Sequence, residues 1–348
     1  MKKIVSFTMV LILLMSTLTA CGDDPKKTIT VFNYGNYIDP EVLEIFKEET
    51  GVTVKYEEAT TPEILYSKYT SGSIKYDVIC TSDYMLERMI NEGELIEYDK
   101  SAFSYINNIG DTYWDFAKAF DPDNTHTIPY FYGTVGILYD TTKVSEPITS
   151  WKTLFDGTLA GDIIMMNSMR DTYMITLKYL GYSINTTNRD EIQAAQDLLL
   201  KQKPDVQAYF VDETKDELGA GNATAGVIYS GDAYVAMEYN KNLDFVVPDE
   251  GTNLWMDCWG ITKECDNVEL AQQFLDFLCR EDIAQMNFDY VYYSTPNEAV
   301  IGAMPEELKK DDMIVPTDEI NQRCEVCKMT DSELLKFYNE LWKELKAK

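Results

Sequence analysis

Apolar and polar positions along the chain fall into a repeating unit, a short apolar run followed by an amphipathic stretch. Ile29-Thr30-Val31-Phe32 reads as a strand. Asp39 then stands as an N-cap, with Pro40 at the first helical position and Glu41 in the first turn. Val42, Leu43 and Phe46 give that helix an apolar face, and Gly51 stops it. Residues 52–56 begin the next strand. The unit recurs as a strand at 76–80 before a helix at 84–91, and at 162–166 before 173–180. It recurs again at 226–229 before 233–239, and at 254–262 before 268–280. Near the C-terminus Thr330 and Glu333 have capping-box spacing. Leu334, Leu335, Tyr338, Leu341, Trp342 and Leu345 then share one helical face.

Strand–helix alternation of this kind predicts an α/β protein. At 348 residues the chain exceeds the size at which one core usually keeps growing, so two domains are expected. It contains no internal repeat and no low-complexity linker. The stretches placed to cross between two units are 130–136, the neighbourhood of Trp255, and the run after Asn297. Several crossings, rather than one linker, imply two lobes built from discontinuous segments and joined by a hinge.

The N-terminus bears on location. Lys2 and Lys3 precede a largely apolar stretch at 4–18, shorter than the ~20 residues a membrane span needs. It ends in Leu18-Thr19-Ala20-Cys21, which has the form of a bacterial lipobox; residues 1–20 then read as a lipoprotein signal peptide and Cys21 as the acylated N-terminus. An ordinary secretory peptide with a chance cysteine is the plainer alternative. Either way the mature chain is expected outside the cytoplasmic membrane, in the first case held there by lipid.

Charge narrows the partners. Fifty-nine acidic residues against 30 basic give a formal net charge of −29, which excludes nucleic acid, since phosphate binding needs a basic footprint. An acidic envelope concentrates cations nearby, although it serves solubility equally well. Beyond Cys21, Cys324-x-x-Cys327 is the only close cysteine pair. The single histidine, His126, lies far from it in sequence, so a local disulfide or two free thiols is expected there rather than zinc. No metal and no cofactor is expected. Ser-x-x-Lys, His-Glu-x-x-His and Gly-x-Ser-x-Gly elements are missing. The glycine-rich 219–224 lacks the lysine and the strand-to-helix setting of a phosphate loop. His126 sits in a polar turn, and hydrolytic catalysis has little support.

In open α/β sheets ligands bind beyond the carboxyl ends of the strands. Those positions here hold Asn33 to Tyr37, Ser82-Asp83-Tyr84, Asn167 to Asp171, Ser230-Gly231-Asp232, Trp255-Met256-Asp257 and Tyr292-Tyr293-Ser294. Tyrosine, tryptophan and aspartate converge, and Arg170 is the one basic residue among them. Aromatic faces attract cations for about 0.5–2 kcal/mol each, and carboxylates bond ammonium groups, so a flexible chain bearing ammonium groups fits; a sugar site uses the same residue types. Any single tyrosine is more often packing, and Asp171 and Asp232 could serve only as helix-start residues. Asp83 reads as a cap. Asp257 differs, because it follows Trp255 in an apolar strand where an unpaired carboxylate is costly.

These segments resemble the spermidine/putrescine-binding proteins of bacterial ABC importers over essentially the whole mature length. The resemblance rests on Val31-Phe32-Asn33-Tyr34-Gly35-Asn36-Tyr37, Tyr76-Asp77-Val78-Ile79 with Ser82, and Ile128-Pro129-Tyr130. It continues in Leu180-Gly181-Tyr182-Ser183 with Asn185-Thr186-Thr187, in Trp255-Met256-Asp257, and in Ser294-Thr295-Pro296-Asn297. It implies a two-lobed periplasmic-binding-protein fold, type II-like, with the ligand in the interlobe cleft. The lobes would be 28–132 with 256–301, and 133–255 with 302–348. The function implied is lipid-anchored, extracytoplasmic capture of putrescine or spermidine by a monomer that hands it to the permease subunits of an ABC transporter. The same fold could instead take another small organic cation or a sugar, or less readily act as a secreted enzyme. The resemblance puts aromatic walls at Tyr34, Tyr37, Tyr84, Tyr229, Trp255 and Tyr293, ammonium-binding acids at Asp171 and Asp257, and a polar contact at Ser82. This chain departs from the pattern. Tyr34 and Tyr229 stand where the family usually has tryptophan, Asn36 where a first-loop acid is common, and Ser168 where spermidine-type members carry an acid. Asp232 matches an acid of putrescine-type members.

Overall fold

The protein is described here by a computed structural model covering residues 27–348; Cys21 and the apolar segment before it lie outside the described residues. Strands β1 (Thr28–Tyr34), β2 (Thr53–Ala59) and β3 (Val78–Ser82) lie parallel in the order β2-β1-β3. They are followed in turn by α1 (Pro40–Thr50), α2 (Pro62–Thr70) and α3 (Asp83–Asn91). The local chemistry of α1 is as the sequence predicts. Asp39 accepts a hydrogen bond from the Glu41 amide, Pro40 opens the helix, and Gly51 closes it at φ 71°.

After α4 (Asp111–Ala117) comes β4 (Thr127–Asp140), fourteen residues that are buried throughout. The chain continues through β5 (Ile163–Met166), α5 (Met169–Tyr179), α6 (Arg189–Gln202), β6 (Val206–Phe210), α7 (Glu213–Gly219), β7 (Ala225–Tyr229) and α8 (Ser230–Tyr239). It then forms β8 (Leu243–Val246) and β9 (Leu254–Ile261), followed by α9 (Val268–Leu278), α10 (Glu281–Val291) and α11 (Glu298–Ala303). Two short helices, α12 (Glu306–Lys309) and α13 (Asp318–Arg323), lead to the terminal α14 (Ser332–Ala347). The sheet order is β2-β1-β3-β9-β4-β7-β5-β6, with β8 also on β4.

β4 is the strand shared by two halves. Its first part, Thr127 to Thr134, pairs antiparallel with β9, whereas from Val135 onward it pairs with β7 and β8. Bridges Tyr132–Ser294 and Asn253–Glu325 tie further passages of chain to the same region. The sequence pattern shows this segment only as a crossing, because Pro129, Gly133 and Gly136 blur the strand signal. Pro129 is accommodated at a register irregularity, where a missing N–H is tolerated.

Three helices begin earlier than their apolar periodicity suggests, at Asp83, Met169 and Ser230. The polar residues that follow β3, β5 and β7 therefore cap or stand in first helical turns. The C-terminal cap also differs. Asp331, not Thr330, accepts from the amides of Glu333 and Leu334. The apolar face of α14 then packs on α5 and α6, with Tyr338 edge-on to Tyr173 at 5.1 Å and Gln196 bonded to the Leu341 carbonyl.

Candidate functional site

Where β1 ends, Tyr34 bonds Thr81 Oγ1 at 3.0 Å, which fixes its ring against β3. Asn36 adopts φ 55°, a left-handed conformation that asparagine tolerates, and the chain turns back so that Tyr37 is buried. The Tyr37 ring meets Tyr34 edge-on at 5.4 Å and Tyr293 at 5.9 Å, and its hydroxyl donates to Asp257 Oδ2 at 2.6 Å. Asp257 pairs in register with Ser82 across β3 and β9. Ser82 stands at the N-cap position of α3 yet makes no capping bond. Its hydroxyl, Asp83 Oδ2 and Trp255 Nε1 are all buried with no hydrogen-bond partner in the protein. Buried polar groups are nearly always paired, so three such atoms beside one carboxylate single this cluster out as a candidate site.

The opposite wall is built from first helical turns and two glycines. Ser168 caps α5, and its hydroxyl donates to Asp171 Oδ2 at 2.5 Å; the Tyr229 hydroxyl donates to the same oxygen at 3.0 Å. Tyr229 packs edge-on to Trp255 at 6.0 Å, and Trp255 to Tyr293 at 5.0 Å. Gly133 lies under the Trp255 ring, where a Cβ would come within 2.5 Å of it, and a Cβ on Gly231 would run into the Tyr293 ring. Both rings thus rest on bare backbone. Tyr292, at φ 62°, ends α10 in the left-handed region, which is strained for a bulky residue and turns Tyr293 inward. The Tyr293 hydroxyl donates to Asp232 at 3.2 Å.

The electrostatics follow from burial. Asp257 is 7 % exposed. Burial pushes its carboxyl up to about 7, and the Tyr37 hydroxyl opposes this. Burial likewise raises Asp171, with the Ser168 and Tyr229 hydroxyls pulling it back. Asp83 is pushed well above the carboxylate range by burial, against the Tyr84 amide and with the Asp257 charge adding to the rise. Three desolvated carboxyls around aromatic faces make a site that gains from a cation.

All ten residues singled out from the sequence stand around this cluster. Tyr34, Tyr37, Ser82 and Asp257 form one side, with Tyr229, Trp255, Tyr293 and Asp171 opposite. Tyr84 and Asp232 already have internal partners. The Arg170 guanidinium lies 3.6 Å from the centroid of the Tyr84 ring, and Lys215 Nζ lies 2.9 Å from Asp232 Oδ1. Asp83, which reads as a cap in the sequence, is 1 % exposed; its Oδ1 accepts from the Tyr84 amide while the carboxylate faces the cluster. Lys215 gives no sequence signal, since the apolar pattern predicts neither β6 nor the helix α7 that follows it. His126 sits beside Asp121 at the entrance to β4. Cys324 and Cys327 are both free thiols, as are the other described cysteines. Among the described residues no group of acids, histidines and cysteines is arranged to hold a metal.

Two half-sheets share β4, with the aromatic and acidic cluster at their junction, in the two-lobed fold of solute-binding proteins. The chain belongs to the bacterial extracellular solute-binding protein family, whose profile matches residues 41–316. It is 32 % identical over 306 residues to the spermidine/putrescine-binding periplasmic protein of Escherichia coli K12, covering 87 % of each chain. It is 31 % identical over 315 residues to the putrescine-binding periplasmic protein SpuD of Pseudomonas aeruginosa, covering 86 % of each. Among solved structures, the spermidine/putrescine ABC transporter substrate-binding protein PotD of Streptococcus pneumoniae superposes with a TM-score of 0.83 at 36 % identity, over 92 % of this chain and 99 % of that one.

Proposed function

We propose that this protein is an extracytoplasmic receptor, lipid-anchored through Cys21, that captures putrescine or spermidine as a monomer and delivers it to an ABC-type importer. The observation that carries the ligand class is Asp257, a buried carboxylate held by one hydroxyl beside Trp255, Tyr37 and Tyr293. Its desolvation is repaid when an ammonium group takes the remaining lone pairs. Trp255 and Tyr293 then cover the adjoining methylenes, and Asp171 takes a second ammonium at the Tyr229 side. The relatives named for spermidine and putrescine support the same reading. The lobes on this view are 28–132 with 256–301 and 133–255 with 302–348, and the ligand draws them together about β4.

A thermal-shift screen with putrescine, spermidine, cadaverine, spermine, choline, amino acids and sugars tests it. Stabilisation by a polyamine that weakens as salt is raised is the expected result. Stabilisation by a sugar, indifferent to salt, would replace the polyamine reading with a sugar-binding one on the same scaffold. No stabilised condition at all would argue for a lipoprotein without a small ligand.

A further inference from the structure

Arg170 sets a permanent cation at one end of the cluster. Its guanidinium stacks on Tyr84, Nη1 lies 3.8 Å from Cys327 Sγ, and Nε lies 3.9 Å from the Glu63 carboxylate. Glu63 in turn accepts from the Tyr84 hydroxyl at 3.0 Å, so the stacked pair is held from both sides. The arginine side chain is only 17 % exposed. Its positive charge favours the ionised forms of Asp83 and Asp171. Tyr84 stands in the first turn of α3 and Arg170 in the first turn of α5, so the stack joins the two half-sheets. An arginine does not lose its proton at any physiological pH. One face of the Tyr84 ring is therefore already occupied by one of the protein's own cations.

At the far edge Lys215 does the same to Asp232. Between these internal cations stand Asp257, bonded by Tyr37, and Asp171, bonded by Ser168 and Tyr229. Their hydrogen-bond partners are uncharged groups. The stretch that remains holds two carboxylates and an aromatic lining.

We propose that Arg170 closes the Tyr84 end of the cleft with a built-in cation, so that the site takes a chain with two ammonium groups, seated on Asp257 and Asp171, and rejects a longer one with three. The inference rests on the polyamine reading above and specifies which polyamine the site prefers. A third ammonium would reach toward Tyr84, Asp83 and Glu63, where it meets the guanidinium at contact distance. Like charges in a desolvated site repel strongly, and such repulsion is an effective means of selecting one ligand over a close relative.

Calorimetric titration of the full chain with putrescine and with spermidine tests it, alongside Arg170→Gln and Arg170→Lys. The wild type should favour putrescine by about tenfold or more. Arg170→Gln should raise the affinity for spermidine relative to putrescine by about tenfold, and Arg170→Lys should keep the wild-type preference. A wild type that binds spermidine as tightly as putrescine overturns the proposal without any variant. So does an Arg170→Gln protein that melts like the wild type yet keeps the same ratio. Binding of neither amine would overturn the polyamine reading itself, and this inference with it.

Discussion

Tyr37 donates its hydroxyl to Asp257 over 2.6 Å, although the two residues lie 220 positions apart. The bond joins the loop after the first strand to the last strand of the sheet. It leaves one buried carboxylate under-satisfied beside three aromatic rings, and most of what can be tested about this protein follows from that arrangement.

Asp257→Asn keeps the shape and removes the charge. Leaving a ligand ammonium buried without its counter-ion costs roughly 2–5 kcal/mol, about 30- to 5,000-fold in affinity, read by calorimetric titration with putrescine and spermidine. The unliganded variant should melt no lower than the wild type, since burial already disfavours the charged carboxyl. Asp83→Asn should cost less than about tenfold, because Asp83 lies at the Arg170 end of the cluster rather than on the stretch that seats the two ammonium groups. Unchanged affinity in Asp257→Asn would move the site elsewhere in the cleft.

Affinity should depend on pH with a definite sign. The Asp257 carboxyl is raised to about 7 in the free protein, and an ammonium ligand pairs with the carboxylate. Binding therefore releases a proton below about pH 7, so affinity rises as pH approaches 7 and levels off above it. For the free protein the raised carboxyl favours folding in the acid range, and that contribution is lost as pH climbs through about 7. The melting-temperature gain from putrescine should accordingly be larger at pH 8 than at pH 6. Titrations in buffers of different ionisation enthalpy count the proton, and Asp257→Asn should abolish most of it. Equal gains at both pH values in the wild type would contradict this.

Gly231→Ala places a Cβ in the space of the Tyr293 ring. The ring must swing out, breaking its bond to Asp232 and its contact with Trp255. Affinity should fall by about tenfold or more, a loss of roughly 1.4 kcal/mol. A second substitution, Tyr293→Ala, made in the Gly231→Ala background should cost little further. Additive losses from the two changes would show that Gly231 does not act through Tyr293.

Ligand should close the lobes about β4, because closure is what desolvates the ammonium groups. Small-angle scattering should give a smaller radius of gyration at saturating putrescine than without it. Superimposable curves would show that the cleft does not close on its ligand.

Cys21→Ser should release the protein from the membrane fraction into the medium, since the lipobox reading makes Cys21 the anchor. Membrane retention of that variant in a fractionation blot would overturn the lipid anchor and leave the binding site untouched.

The sequence by itself determined what local chemistry can determine. Asp39, Pro40 and Gly51 fixed the ends of the first helix, because caps and left-handed stops act within a few residues. Aromatic and acidic residues at strand ends marked the candidate site, since a strand's carboxyl end faces the ligand side of an α/β sheet. Only the tertiary structure decided which of those residues are free to bind. Lys215, seventeen residues upstream, neutralises Asp232, Arg170 covers Tyr84 from the other half-sheet, and Gly133 and Gly231 make room for Trp255 and Tyr293. Asp83 passed for a cap until packing buried it beside Asp257. Each of these depends on where the chain returns in space after tens or hundreds of residues, and hydrophobic periodicity and capping carry no information over that range.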